Sequence, residues 1–168
     1  MVNFGSIKGR AWVFGDNVDT DQIIQGIHLA MLDYSEMAKY TFEMVRPEFA
    51  EQVKPGDIVV AGRNFGGGSS REEAPMVLKE LGIRLVIAES FARIFYRNAF
   101  NVGMPALLVK DVSSQISDGQ TVEANVLTGK VSIIETGVTL DTDKLPDMML
   151  ELLEAGGAIP HYKKRMGK

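Results

Sequence analysis

Three short apolar runs constrain the fold of this chain more than any other feature. They occupy Ile58–Ala61, Leu85–Ala88 and 106–109, and each has the length of a β-strand that is buried on both faces. The intervals at 72–81 and 91–100 are long enough for helices. Because a helix that follows one strand can return the chain to a parallel neighbour, the pattern predicts a βαβ core and an α/β fold.

The rest of the chain adds further elements to this core. We predict an amino-terminal strand, a helix that ends before Pro47, a hairpin that turns at Thr128 and Gly129, and a late helix that ends at Gly156. Their ranges are 8–14, 34–46, 121–127 with 130–135, and 145–154. The 168 residues contain no repeat or low-complexity linker, so we expect one domain, 1–168, with 155–168 as a carboxy-terminal tail.

Composition excludes several classes of function. The chain has no cysteine, so it cannot form a disulfide, a zinc–thiolate site or a cysteine-ligated iron–sulfur cluster by itself. Its net charge of −4 is unlike that of a nucleic-acid-binding protein. His28 and His161 lack partners at metal-ligand spacing, so no metal site is predicted. No apolar run has the length of a signal-peptide core or a membrane span, and we expect a cytoplasmic protein.

The segment 62–73 has the most distinctive chemistry, since it reads GRNFGGGSSREE and lies between a predicted strand and helix. Consecutive glycines permit positive φ angles and the close approach of a ligand. Ser70 and Glu73 have the spacing of a capping box, which predicts Ser70 as the N-cap and Arg71 as the first helical residue. Free N–H groups and a guanidinium at this position would favour a carboxylate or a phosphate. The alternative is a glycine-rich turn in which Ser70 only caps the helix, and the pattern does not explain Pro75.

Three motifs resemble segments of one known family. They are FGDNVDTDQII at 14–24, VAGRNFGGGSSRE at 60–72 and AESFARIFYRNA at 88–99. In this order they are similar to the small subunits of 3-isopropylmalate dehydratase and homoaconitase, which correspond to the swivelling domain of the aconitase superfamily. The resemblance covers nearly the whole chain. It implies a single swivelling β/β/α domain like the aconitase carboxy-terminal domain, with a mixed sheet flanked by helices.

The resemblance also implies a hetero-oligomeric hydro-lyase. A large partner subunit would carry a 4Fe–4S cluster, while this chain would bind no cofactor, nucleic acid or membrane. Ser69 would be the base that removes a carbon-bound proton from a small dicarboxylate substrate. Arg71 would bind a substrate carboxylate, with Gly68 and Ser70 as further substrate contacts. Dehydration and rehydration would then move the hydroxyl group to the neighbouring carbon.

Two further motif segments have alternative interpretations. In the family, Asp19, Thr20 and Asp21 would line the cleft that faces the partner and the substrate. The alternative is a turn at a strand end whose polar side chains make local backbone bonds. The segment 91–98 is interpreted as packing and subunit contact.

The residues after Ile24 bear on the substrate, because small subunits of this family hold a specificity loop there. Here that loop spans 26–32 and reads GIHLAML, and its residues His28, Leu29, Ala30 and Met31 would contact the substrate. Homoaconitase-like members typically have an arginine where Ala30 stands. A third substrate carboxylate would be disfavoured without that cation, whereas Leu29 and Met31 suit a branched alkyl group.

We therefore expect 2- and 3-isopropylmalate as substrates, in leucine biosynthesis. The alternatives are homoaconitase or a dehydratase of another alkyl-malate such as 2,3-dimethylmalate, because His28 stands where the family usually has tyrosine and an imidazolium could meet a carboxylate. Leu29 and Met31 could instead be core residues. The non-enzyme alternative is an anion-binding module.

Overall fold

The computed structural model describes residues 3–167 and contains a seven-stranded sheet with helices around it. The strands are β1 (Ile7–Val13), β2 (Ile58–Ala61), β3 (Leu85–Ala88), β4 (Ala106–Leu108), β5 (Thr121–Asn125), β6 (Lys130–Ile133) and β7 (Thr139–Asp141). The helices are α1 (Thr20–Ile23), α2 (Tyr34–Ala38), α3 (Phe49–Gln52), α4 (Glu73–Glu80), α5 (Arg93–Asn101), α6 (Val112–Gln115), α7 (Asp147–Ala155) and α8 (Ala158–Arg165). A 3₁₀ turn spans Gly26–His28.

Strand β1 joins two halves of the sheet that differ in strand direction. The strand order is β4-β3-β2-β1-β5-β6-β7. The last residues of β1 pair in parallel with β2, in the register Ala11 to Ile58, while its first residues pair antiparallel with β5, in the register Ile7 to Ala124. β2, β3 and β4 continue in parallel, and β5, β6 and β7 continue antiparallel. The predicted mixed α/β sheet, the βαβ core and the hairpin are confirmed.

The parallel half of the sheet is the centre of the core. Every residue of β2 and β3 is buried, which explains why both sequences are continuously apolar. Aromatic side chains cover the neighbouring β1. Phe42 stacks on Phe14 with 4.3 Å between ring centroids, and Phe49 makes edge contacts at 4.9 Å with both Trp12 and Phe42. These contacts hold the segment between α1 and β2 against the sheet.

The carboxyl ends of β1, β2 and β3 lie at one edge of the sheet, and the segments that follow them contact each other there. Asn17 N donates to Arg63 O at 2.8 Å, Phe65 N donates to Ser90 O at 3.0 Å, and Ala92 N donates to Phe65 O at 2.9 Å. Ligand sites of open α/β sheets lie outside this edge. The topology thus brings the three sequence motifs together.

The structure corrects one predicted helix and explains the position of Pro75 in another. The helix predicted over 34–46 ends at Ala38, and Lys39, Tyr40 and Thr41 each donate to the carbonyl three residues earlier in a series of turns. Phe42 then takes a φ of +57° and donates its N–H to Ile23 O. That conformation directs Phe42 into the core. Pro75 is the third residue of α4, where a backbone nitrogen has no intrahelical partner, so the proline fits without loss of a hydrogen bond.

The carboxy-terminal segment is helical. Residues 155–168 were expected to form a tail, whereas Ala158–Arg165 form α8, which follows α7 after the left-handed Gly156. The single-domain prediction, 1–168, includes residues 1, 2 and 168, which lie outside the described residues, and it stays a prediction. α5 and α7 have nine residues each, and no helix of the described part is long and apolar enough to cross a membrane.

Candidate functional site

The serine loop, residues 62–72, is held against the segment after β1. Gly66 N donates to Val18 O at 2.7 Å, and Thr20 N donates to Gly67 O at 2.8 Å. The Thr20 side chain is buried, and its hydroxyl donates to the backbone carbonyl of Ser69 at 2.9 Å. Thr20 therefore fixes the backbone position of Ser69, and its hydroxyl is directed at the loop.

Two glycines of this loop stand where no side chain fits. A Cβ on Gly62 would lie 1.9 Å from Asp16 Oδ1, which accepts a hydrogen bond from Arg63 N at 2.7 Å. Gly66 has a φ of +84°, and its Cβ would lie 2.2 Å from the Phe95 ring. The glycines thus allow the loop to pack against the turn after β1 and against α5. Asp16 thus anchors the loop, and its position directly after a strand was the sequence signal for a carboxylate in this role.

The capping box predicted at Ser70 is wrong. α4 begins at Glu73, and its N-cap is Glu72, whose side chain makes no cap hydrogen bond. A capping box forms at α1 instead, where Asp19 Oδ1 accepts from Gln22 N at 2.8 Å and Asp19 N donates to Gln22 Oε1 at 3.1 Å. The spacing of Asp19 and Gln22 is that of a capping box, so the sequence carried this signal as well. The Asp19 carboxylate is therefore engaged in a local backbone bond.

Arg71 connects the serine loop to the end of α1. Its Nη1 donates to Asp21 Oδ1 at 2.9 Å and to Ile24 O at 2.9 Å. The Arg71 side chain is only 16% exposed, whereas that of Asp21 is 63% exposed. The hydrogen bond from Arg71, and then the one from Gly26 N, hold the pKa of Asp21 below its usual range. The two bonds at Nη1 thus orient the guanidinium, and its other N–H groups can still donate to an anion.

Ser69 and Ser70, which precede Arg71 in the chain, are exposed. Neither hydroxyl makes a hydrogen bond to another residue of 3–167. The backbone N–H groups of Gly68, Ser69 and Ser70 are also free of partners within the same range, and Gly68 has a φ of +84°. Successive free N–H groups in a left-handed turn form a concave site for an anion. The loop therefore combines two hydroxyls with backbone donors, next to one cation.

The segment 26–32 begins at the Arg71 side chain. A Cβ on Gly26 would lie 3.3 Å from Arg71 Nη2. Ala30, which the sequence predicts near the substrate, is exposed. Ile27 and Leu32 lie in the loop predicted from the sequence but were given no role there, and they are 78% and 99% exposed. Exposed large apolar side chains on a loop beside a polar site are the signal for a contact surface.

The other side chains of this segment turn inward. His28 is 8% exposed, its Nε2 lies 2.5 Å from Glu43 Oε1, and its ring stacks on Tyr40 with 4.0 Å between centroids. Leu29 and Met31 are half-buried and pack against the core. These three residues therefore hold the segment against the core. For Leu29 and Met31 this agrees with the alternative interpretation that they are core residues.

The serine loop lies on an open surface. The largest of the cavities described, of about 560 Å³, lies between α5, α7 and α8, and no residue of the serine loop lines it. Nowhere in residues 3–167 do three His, Cys, Asp or Glu side chains converge as a metal site requires. The loop thus presents anion-binding groups and hydroxyls without an enclosing wall, which is the geometry of half a site.

The mixed sheet and a serine–arginine loop at its carboxyl edge define the class of this protein. Residues 21–111 match the family model of the aconitase C-terminal domain. The chain belongs to that family, and more narrowly to its small subunits of the 3-isopropylmalate dehydratase and homoaconitase type, as its relatives establish.

Those relatives are similar over nearly their whole length. The isopropylmalate/citramalate isomerase small subunit of Methanocaldococcus jannaschii is 51% identical over 162 residues, which are 96% of each chain. The methanogen homoaconitase small subunit of Methanothermobacter thermautotrophicus is 49% identical over 95% of this chain and 92% of its own. A crystal structure described as 3-isopropylmalate dehydratase from Methanocaldococcus jannaschii superposes with a TM-score of 0.92 at 43% identity, over 96% of this chain and 95% of the other. The resemblance drawn from the three motifs is confirmed.

Proposed function

We propose that this chain is the small subunit of a heteromeric hydro-lyase that interconverts 2- and 3-isopropylmalate by dehydration and rehydration. The observation that carries the proposal is the juxtaposition of the exposed Ser69 hydroxyl with free backbone donors and the oriented guanidinium of Arg71. The names of the relatives support the same activity. As a biosynthetic enzyme of leucine formation, the heteromer is expected in the cytoplasm.

Arg71 binds a carboxylate of the substrate in this proposal. A guanidinium presents several donors in one plane, so it can keep its hydrogen bonds to Asp21 and Ile24 while its remaining N–H groups face the ligand. Asp21 holds the guanidinium in place, and the free N–H groups of the loop complete the orientation of the anion. Ser70, exposed beside them, donates a further hydrogen bond to the substrate.

Ser69 moves the proton. Its Oγ must be deprotonated to accept the proton from the substrate carbon, and the electron pair left on that carbon forms the double bond as the hydroxyl on the neighbouring carbon departs. The free N–H groups of Gly68, Ser69 and Ser70 favour a negatively charged oxygen at this loop. Return of the proton from Ser69 to the other alkene carbon, with water added at the first, gives the isomer. Thr20 keeps the Ser69 backbone in place through both steps.

A partner subunit is needed to supply the leaving-group chemistry. When bound to that large subunit, a 4Fe–4S cluster would act as the Lewis acid for the departing hydroxyl. This chain has no cysteine to ligate such a cluster, so the ligands belong to the partner. The open surface around Ser69 leaves room for the second half of the site.

Substrate choice rests on the 26–32 segment. Ala30 is exposed where homoaconitase-like members typically have an arginine, so a third carboxylate would lack a cation there. The exposed Ile27 and Leu32 offer apolar surface for an alkyl group or for the partner. His28 is engaged with Glu43, which makes it a weaker candidate for carboxylate recognition. Homocitrate-type and other alkyl-malate substrates remain the alternatives, since relatives of both kinds have similar identity.

The decisive experiment is turnover by the reconstituted heteromer. The chain is co-expressed with its large subunit, and kcat/KM is measured on isopropylmalate, citramalate, 2,3-dimethylmalate, citrate and homocitrate. Preference for isopropylmalate supports the proposal, whereas preference for homocitrate contradicts the argument from Ala30. Absence of turnover on every substrate, together with tight phosphate binding by the isolated chain, would favour the anion-binding module.

A further inference from the structure

Three helices enclose a groove that the proposed chemistry does not use. α5, α7 and α8 surround the cavity of about 560 Å³, which we term the three-helix groove. Aromatic and aliphatic side chains form its floor, among them Tyr96, Phe100 and Leu152. At its margin, Met148 and Tyr162 are 71% and 62% exposed. α8 has no buried residue at all, so this helix presents an amphipathic surface that the described chain does not cover.

The groove is positively charged in an acidic protein. Arg93, Arg97 and Arg165 line it together with a single carboxylate, that of Glu151, while the whole chain has a net charge of −4. None of these three arginines forms an ion pair within residues 3–167. Every other arginine of the chain except Arg84 pairs with a carboxylate. The three-helix groove therefore concentrates uncompensated positive charge around an apolar floor.

The groove is continuous with the serine loop. α5 begins at Arg93, directly after Ala92, whose N–H donates to Phe65 O at 2.9 Å. Phe95 of α5 contacts Phe65 edge-on with 5.1 Å between centroids and lies against Gly66. The Arg93 end of the groove therefore lies next to the serine loop, so one partner chain can contact both.

We propose that the three-helix groove belongs to the interface with the large subunit and accepts an acidic segment of that subunit which also carries apolar side chains. This inference rests on the proposed function, because it requires a large subunit. The positive charge of the groove favours an acidic partner over a second copy of this chain. A second copy of this chain, packed by a two-fold axis on the same face, would bring identical arginines together, whereas an acidic partner neutralises them. The exposed apolar margin of Met148 and Tyr162 supplies the area that such a segment buries.

Charge reversal tests the inference. The double variant Arg93→Glu, Arg97→Glu is mixed with the large subunit, and Kd is measured by sedimentation at low and high salt. We expect Kd to rise roughly tenfold or more at low salt and by less at high salt, because the lost attraction is screened. The matched control is Arg84→Glu, which reverses an exposed, unpaired arginine at the amino end of β3, opposite the serine loop. Its Kd should equal that of the unmodified chain.

A second variant tests the apolar part of the groove. Tyr162→Ser removes an exposed ring from α8, so the fold should remain stable while Kd rises several-fold with little dependence on salt. An unchanged Kd in both groove variants would overturn the inference. Self-association of the isolated chain that these variants abolish would overturn it too, since a second copy would then occupy the groove. We expect Ser69→Ala to assemble normally, so its turnover tests the proposed function independently of the interface.

Discussion

Arg71 Nη1 lies 2.9 Å from Asp21 Oδ1, and this contact connects the serine loop to α1, the helix that precedes the 26–32 segment. Because the bond from Arg71 lowers the pKa of Asp21, the carboxylate is ionised throughout the neutral range, and the pair is lost only in acid. Across the neutral range the orientation of Arg71 is therefore independent of the Asp21 titration.

Replacement of Asp21 by asparagine should consequently impair substrate binding without a change in pH dependence. We expect Asp21→Asn to raise KM roughly tenfold, because Arg71 loses its charged partner, and to leave the shape of the kcat/KM profile between pH 6 and 9 unaltered. Steady-state kinetics of the heteromer measure both. Asp33→Asn is the control, since Asp33 also has a lowered pKa and caps α2 but does not contact Arg71. A new ionisation in the Asp21→Asn profile would contradict this account.

The two adjacent serines should differ in their kinetic roles. Ser69→Ala is expected to reduce kcat by roughly 10²–10⁴, which is the usual contribution of a general base. Ser70→Ala should mainly raise KM, because its hydroxyl is proposed only to contact the substrate. Thr20 binds the carbonyl of Ser69 and not its hydroxyl, so Ser69→Ala should unfold at the same temperature as the unmodified chain. Near-normal kcat in Ser69→Ala would refute its role as the base.

Two neighbouring glycines should respond very differently to the same substitution. Gly66→Ala forces a left-handed backbone on alanine and drives its Cβ into Phe95, so we expect a loss of at least about 2 kcal/mol in the free energy of unfolding. The three atoms nearest to a Cβ on Gly67 all belong to the Asn64 side chain, the first at 3.1 Å, and Asn64 is exposed and can shift. Gly67→Ala should therefore cost less than about 1 kcal/mol. Urea unfolding compares the two, and equal losses would contradict the loop geometry.

The buried carboxylate of Asp57, at the opposite end of the sheet, should contribute strongly to the free energy of unfolding. Asp57 Oδ2 accepts from Trp12 Nε1 at 2.9 Å, from Lys54 N at 2.9 Å and from Arg10 Nη2 at 3.2 Å. Asp57→Ala leaves Trp12 Nε1 and Lys54 N unpaired, while Arg10 keeps its bond to Gln52 O, and it should cost about 2–4 kcal/mol of unfolding free energy. Asp141→Ala, which removes an exposed partner of Lys130, should cost less than about 1 kcal/mol. Urea titration of both variants measures the difference, and similar losses would show that Asp57 has no special role.

Hydrophobic periodicity predicted the sheet well because burial on both faces leaves a continuous apolar run, as in β2 and β3. It failed where local turns override the pattern. Met37, Ala38 and Phe42 have helical spacing, yet the α-helix ends at Ala38, and the turn that follows, with a positive φ at Phe42, lets the Phe42 ring stack on Phe14. Such a tertiary contact leaves no periodic trace in the sequence.

At the site, too, the sequence did not predict the contacts of individual side chains. Motif similarity predicted that Asp19, Thr20 and Ser69 lie near one another, but residue type did not reveal what each side chain contacts. Thr20 binds a carbonyl and Asp19 caps α1, because a buried hydroxyl and a carboxylate at a helix start are satisfied by the nearest backbone groups. Ile27 and Leu32 were placed in the specificity loop but given no role, because exposure depends on the path of the loop and not on hydrophobicity.

Substrate preference should change with a single residue of the 26–32 segment. Ala30 is exposed, so Ala30→Arg adds a cation without burying it or displacing a packed side chain. If this position faces the substrate, the ratio of kcat/KM for homocitrate to that for isopropylmalate should rise by roughly tenfold or more, because a carboxylate gains a partner while the alkyl group meets a charge. Leu32→Arg is the matched control, since Leu32 is 99% exposed on the same segment and would add the same charge farther along the chain. An equal change of the ratio in both variants would mean that added charge acts through the general field and that Ala30 has no direct contact with the substrate.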